Sequence, residues 1–141
     1  MIKSAEEFIR LRKSRIPEEY NRANDEFIPD EVCHAVIKKD LDMKEYIAGN
    51  TSISLNMIIY LADDEDVDIR VRIAEKPNLT RGLFEKFVCD PDESVRHRLV
   101  FNRHTPLDIL ERLTHDEWDV CAEDAKEVLE KRLAKKKACL E

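Results

Sequence analysis

The amino-acid sequence predicts an all-α chain, an α-solenoid of stacked short helix pairs with a longer C-terminal capping helix. Three observations carry that expectation. The 141 residues include only two glycines, Gly49 and Gly82, and 6% aromatics. A β-sandwich, a dinucleotide fold or a Gly-rich phosphate loop would need more glycine at tight turns and close backbone approaches, and a sheet more aromatics. Apolar residues recur at helical spacing. Above all, the chain repeats itself at a shift of 26 residues without gaps: Asp64 falls on Asp90, Asp66 on Asp92, Ile69 on Val95, Arg70 on Arg96, Arg72 on Arg98 and Ile73 on Leu99. The same shift carries Leu83, Phe84 and Phe87 onto Ile109, Leu110 and Leu113, and backwards onto Met57, Ile58 and Leu61. A fixed period of this length is the mark of supersecondary units that bury their apolar faces on one another.

The elements follow in order. Ser4-Ala5-Glu6-Glu7 is a capping box and opens a short helix carrying Phe8, Ile9 and Leu11. Ile16-Pro17-Glu18-Glu19 starts a second helix and Ile28-Pro29-Asp30-Glu31 a third, the latter with Val32, Val36 and Ile37. The third helix reads as a degenerate first helix of a unit, and Met43 to Gly49 as its shortened partner. In each clear unit the first helix is opened by Ser54, Thr80 or, with Pro106 at the first helical position, Thr105. An acidic turn follows, in which Asp66 or Asp92 caps the second helix and meets the positive end of its dipole. The second helix buries Ile69 and Ile73, or Val95 and Leu99, and stops near Pro77-Asn78 or Asn102-Arg103. After Asp116 a single long helix is expected, with Trp118, Cys121, Ala122, Ala125, Val128, Leu129 and Leu133 in one apolar stripe and Lys135-Lys136-Lys137 at its C-terminal end. The whole reads as one domain: 1–30 an N-terminal helical cap, 31–115 the repeats, and 116–141 the C-terminal capping helix.

Composition narrows the function. Lys and Arg number 24 against 31 Asp and Glu, a net charge of −7. Such a chain repels duplex DNA, so nucleic acid is disfavoured as a partner. The longest apolar run, Met57 to Ala62, is far too short to cross a bilayer, and Lys3 to Glu7 runs straight into charge where a secretory leader would be apolar. Cys33, Cys89, Cys121 and Cys139 are at least 18 residues apart with no C-x-x-C. They read as buried small hydrophobes of a reducing, cytoplasmic protein. A metal set of Cys33, His34, Cys89 and His97 lacks chelate spacing, and no cofactor is expected. The acidic turns have no EF-hand register. No zinc-protease, nucleophile-elbow or triad pattern occurs, and His97, four residues after Glu93, is explained by a helix-surface contact.

Residues 61–113, with Asp90-Pro91-Asp92-Glu93-Ser94-Val95-Arg96 and then Asn102-Arg103-His104-Thr105-Pro106-Leu107-Asp108-Ile109-Leu110, resemble a leucine-rich repeat variant or short HEAT-like repeat. Lys76 departs from the pattern, where Asn is expected. The resemblance implies an α-solenoid that binds other proteins without catalysis. Some relatives carry an N-terminal cysteine cluster for iron and sulphur, which nothing here matches. Alkylpurine DNA glycosylases share the HEAT-like architecture and supply the alternative reading, a DNA-repair relative acting on nucleic acid. No catalytic residue carries over from them.

The polar residues suggest where a partner would sit. Arg70 and Arg96 are expected to form a structural ladder with an Asp of their own or a neighbouring turn, Asp66 and Asp92 being four residues earlier. Arg72 and Arg98, two residues further on, point elsewhere and with Lys76 and Asn102 form a candidate partner-binding row. Asp64, Asp66, Asp90 and Asp92 belong to acidic turns whose bland role is capping and solubility, and whose functional role is to steer a basic partner. The expected function is a non-enzymatic protein-interaction module, with a protein partner of basic character and an inhibitor-like masking role as its sharper form. Self-association through incompletely capped ends is a further expectation.

Overall fold

The computed structural model describes residues 1–140. Among them are ten α-helices and no strand: α1 (Ala5–Lys13), α2 (Pro17–Asp25), α3 (Asp30–Lys39), α4 (Lys44–Gly49) after a 3₁₀ turn over Leu41–Met43, α5 (Leu55–Ala62), α6 (Val67–Ala74), α7 (Arg81–Val88), α8 (Glu93–Phe101), α9 (Leu107–Leu113) and α10 (Asp119–Leu140). The chain divides into two compact units, 1–73 and from Ala74 onward.

In the first unit α1 packs on α2 and α3, and α3 on α4 and α5. Their buried faces are those that helical spacing picks out: Phe8 and Leu11, Cys33 and Val36, Ile47, and Met57, Ile58 and Leu61. Helix starts follow local chemistry. The Ser4 hydroxyl accepts from the Glu7 amide at 3.1 Å, and the Glu7 carboxylate accepts from the Lys3 amide at 2.8 Å. Ser54 Oγ accepts from the Met57 amide at 3.1 Å, while Pro17 stands at the start of α2.

In the second unit α7 packs on α8 and α9, and α10 covers both α8 and α9. Leu83, Phe84 and Phe87 are buried with Val95 and Leu99, Ile109, Leu110 and Leu113, and Cys121 and Ala125. Thr80 caps α7 as expected, accepting from the Leu83 amide at 3.3 Å. Thr105 does not cap α9. The helix begins at Leu107 with Pro106 as its cap residue and no side-chain cap bond. The buried Thr105 hydroxyl instead turns back to donate to the Leu99 carbonyl at 2.6 Å. That carbonyl belongs to the last turn of α8, where helix carbonyls lose their intrahelical donors. The expected stripe on α10 also ends early: Cys121, Ala122 and Ala125 are buried, Val128 and Leu129 half-buried, and Leu133 is exposed.

Candidate functional site

The acidic turns are built first by their own backbone. Asp64 Oδ1 accepts from the Asp66 amide at 2.9 Å, Asp90 Oδ1 from the Asp92 amide at 2.9 Å, and Asp116 Oδ1 from the Trp118 amide at 2.9 Å. One step on, Asp40, Asp66 and Asp92 accept from the amides of Asp42, Asp68 and Ser94 at 3.1, 2.9 and 2.8 Å. These are side-chain turns and N-caps, the local bonds for which short carboxylates are favoured.

Arg96 takes an aspartate, though not the one that the four-residue spacing suggested. Arg96 Nε donates to Asp116 Oδ2 at 2.7 Å and Nη2 to Asp116 Oδ1 at 3.1 Å, the two side chains being 8% and 5% exposed. Arg96 Nη1 also donates to the Asp90 carbonyl at 2.8 Å. Arg70 holds the same position in its own turn, donating to the carbonyls of Asp64 and Glu65 at 2.9 and 3.1 Å. Asp66 and Asp92 are not the acids of the ladder, because an N-cap side chain is committed to the amides of its own helix. Lys44, one period before Arg70, completes the pattern in the first unit by binding Asp64 at 2.7 Å. Sequence reading missed Lys44, although a cation 20 residues before an Asp is the spacing of both pairs.

Two candidate partner-binding residues are internal instead. Asn102 is buried, and its amide donates to the Ala74 and Lys76 carbonyls at 2.9 Å each, while Oδ1 accepts from the His104 amide at 3.0 Å. Asn50 makes the same arrangement in the first unit, donating to Ala23 and Glu26 at 2.8 and 3.0 Å and accepting from the Ser52 amide at 2.7 Å. Lys76 stands midway between these asparagines in the register and is also buried. Burial pushes its ammonium down to about 8, against a smaller opposing influence of Glu75. Arg72 and Arg98 are at the surface, each held by a glutamate: Arg72 by Glu45 at 2.6 Å and Arg98 by Glu75 at 3.2 Å. The contacts of His97 reach beyond Glu93 and its own turn. Its Nε2 lies 2.7 Å from Asp124 Oδ2, and its ring meets Phe101 and Trp118 edge-on at 5.1 Å.

One concavity that these turns frame lies in the first unit. It is a groove of about 760 Å³ between the 3₁₀ turn, the start of α4 and the turn before α6. Asp40, Asp42, Glu45, Asp64, Glu65 and Asp66 line it, against only Lys13 and Lys44. Leu41, Met43, Tyr46 and Ile69 supply its apolar lining. Beside it the Arg12 guanidinium is stacked between the rings of Tyr20 and Tyr46, 4.1 and 3.8 Å from their centroids, and donates to Asn24 Oδ1 at 3.0 Å. The cation–π contact holds the Tyr46 ring as an aromatic wall of the groove. Of the eight charged groups, Asp42, Glu45, Glu65 and Asp66 are exposed carboxylates, so the rim is negative and the lining partly apolar.

In the second unit a smaller groove of about 420 Å³ runs past Cys89, Arg96, Arg112, His115 and Asp116. Arg96 and Asp116 are occupied with one another there, and Arg112 is paired with Glu85. Asp116 is held below the ordinary carboxylate value of 3.8: burial opposes this, and the bonds from Arg96 and the Trp118 amide outweigh it. Cys33 and Cys121 are buried thiols pushed up to about 12, chiefly by desolvation. Among the described residues no cluster of three or more His, Cys, Asp or Glu is arranged to hold a metal ion, and no helix is long and apolar enough to cross a membrane. Comparison with protein-family models, with curated proteins and with solved structures returns no match.

Proposed function

We propose that the chain is a non-enzymatic protein-interaction module, an α-solenoid whose acidic groove in the first unit takes a basic segment of a protein partner. The observation that carries the reading is the groove itself: six carboxylates against two lysines around an apolar lining, with an aromatic wall. Charge of one sign lining a concavity steers an oppositely charged partner and raises its association rate. Exposed tyrosine and leucine beside it supply the apolar contact area that converts steering into affinity. The recurrence of the side-chain turns at 26 residues, and of the Asn clamp and the cation–Asp pair at twice that interval, supports the stacked-pair reading and the resemblance to short HEAT-like repeats.

The test is fluorescence anisotropy with a labelled decalysine peptide, run against the wild-type chain and an Asp42→Asn/Glu65→Gln/Asp66→Asn variant. These changes remove charge and keep shape, and Asn remains a good cap at position 66. The expected result is binding that weakens steeply with salt and falls about tenfold or more in the variant. Binding equal in the two proteins, or no binding by the wild type, overturns the groove as the site.

A further inference from the structure

We infer that a second copy of this chain supplies an occupant of the acidic groove, through the C-terminal end of α10. The inference rests on the groove reading above and adds the identity of the partner.

The end of α10 is unlike the rest of the molecule. Every residue from Leu133 to Leu140 is exposed, Leu133 at 48% and Leu140 at 82%. The last tie to the body of the unit is Arg132, whose guanidinium donates to the Thr105 carbonyl. Beyond it the helix runs on for two turns, about 12 Å. Leu133, Lys136, Lys137 and Leu140 fall at helical spacing on one face of that stretch, two leucines with lysines between them. Residues 131–140 hold Lys131, Arg132, Lys135, Lys136 and Lys137 and no acid, in a chain whose net charge is −7. An exposed helix end thus carries a local excess of positive charge beside an apolar stripe.

The groove is its complement. The exposed carboxylates of Asp42, Glu65 and Asp66 answer the charge of Lys135, Lys136 and Lys137, and exposed Leu41 and the Tyr46 ring offer apolar surface to Leu133 and Leu140. The two surfaces are different, so the contact is head-to-tail, and each copy that uses its tail on a neighbour still offers its own groove to the next. Association is therefore expected to grow with concentration instead of stopping at a closed dimer. An anionic bilayer would also accept lysines and leucines at this spacing. The second copy is favoured because its matching acidic and apolar surface is present on the same chain.

Sedimentation velocity from low micromolar to submillimolar protein, at about 50 mM and about 500 mM salt, reads the contact directly. The expected result is a mean mass that rises with concentration at low salt and returns to the monomer at high salt. Lys135→Glu/Lys136→Glu/Lys137→Glu and, separately, Asp42→Lys/Glu65→Lys each abolish the rise, and the five changes combined in one chain restore it. All of these positions are exposed, and circular dichroism confirms that each variant is folded. A wild type that is monomeric throughout, or variants that associate as before, overturns the inference. The decalysine measurement separates the two readings. A monomeric chain that binds decalysine through its groove rejects only the second copy, whereas one that does not bind rejects both. A monomeric chain that cosediments with phosphatidylserine vesicles, and loses this with the three lysines, also overturns the second copy and assigns the helix end to lipid.

Discussion

Arg96 and Asp116 meet through two hydrogen bonds in a setting where neither is solvated. Replacing such a pair by apolar groups is often harmless, but removing one member strands the other charge, at about 3–5 kcal/mol. Arg96→Ala is therefore expected to lower stability to urea by that amount, while Arg72→Ala, at an exposed pair, changes it by less than about 1 kcal/mol. Because the Asp116 value in the folded chain lies below 3.8, its contribution is whole above that pH and is lost as pH falls through the folded value. Asp116→Asn should flatten that part of the acid limb. Lys76 works in the opposite range. Its folded value of about 8 lies below the ordinary 10.5, so above pH 8 the unfolded chain holds more protons and stability rises with pH. Cys33 and Cys121, raised to about 12 from 9.0, reverse the trend above pH 9, where the unfolded chain has lost thiol protons that the fold retains. Between urea melts at pH 8 and 9 the wild type should gain about 1 kcal/mol relative to Lys76→Met, which keeps the two thiols and lacks the ammonium.

At the level of elements, the asparagine clamps tie the chain after a second helix to the end of the second helix before it. Asn102→Ala leaves two buried carbonyls without their donor and is expected to cost about 2–4 kcal/mol. Thr105→Val, which keeps shape and deletes the bond to Leu99, should cost about 1 kcal/mol. Thermal melts of the two variants check both figures. These details mark the boundary of what could be read beforehand. Helix positions, their buried faces and the caps at Ser4, Ser54, Thr80, Asp66 and Asp92 follow from spacing and side-chain chemistry that act within a few residues. Thr105 went astray because a hydroxyl beside proline has two acceptors or donors within reach, and the competing one lies six residues upstream in space made by tertiary packing. Asn50, Lys44 and Asp124 were missed since their partners are 20 to 27 residues away. The period itself was the available signal for the first two, as Asn24, Asn50 and Asn102 share a register in which Lys76 is the exception.

At the scale of the molecule, two local clusters stand out from a surface of mixed charge: acid around the 3₁₀ turn and the turn before α6, base on the last turns of α10. The acidic turns were visible in the sequence, but not that 40–45 and 64–66 converge on one groove, which depends on how α3, α4 and the following turn fold together. The thiols are sorted by exposure. Cys33 and Cys121 are buried, Cys89 and Cys139 exposed. A disulfide-exchange reagent should titrate two thiols at once and the other two only at the rate of unfolding, in a native-versus-denatured count.

The division at residue 73 has an optical consequence. All three tyrosines, Tyr20, Tyr46 and Tyr60, belong to the first unit, and the one tryptophan, Trp118, to the second. Each unit thus carries its own chromophore. Arg12 lies against two of the tyrosines, and the His97 imidazole lies against the indole. Tyrosine emission reports the first unit and tryptophan emission the neighbourhood of α10, so an unlabelled sample discloses in one cuvette whether the two units melt together or in turn.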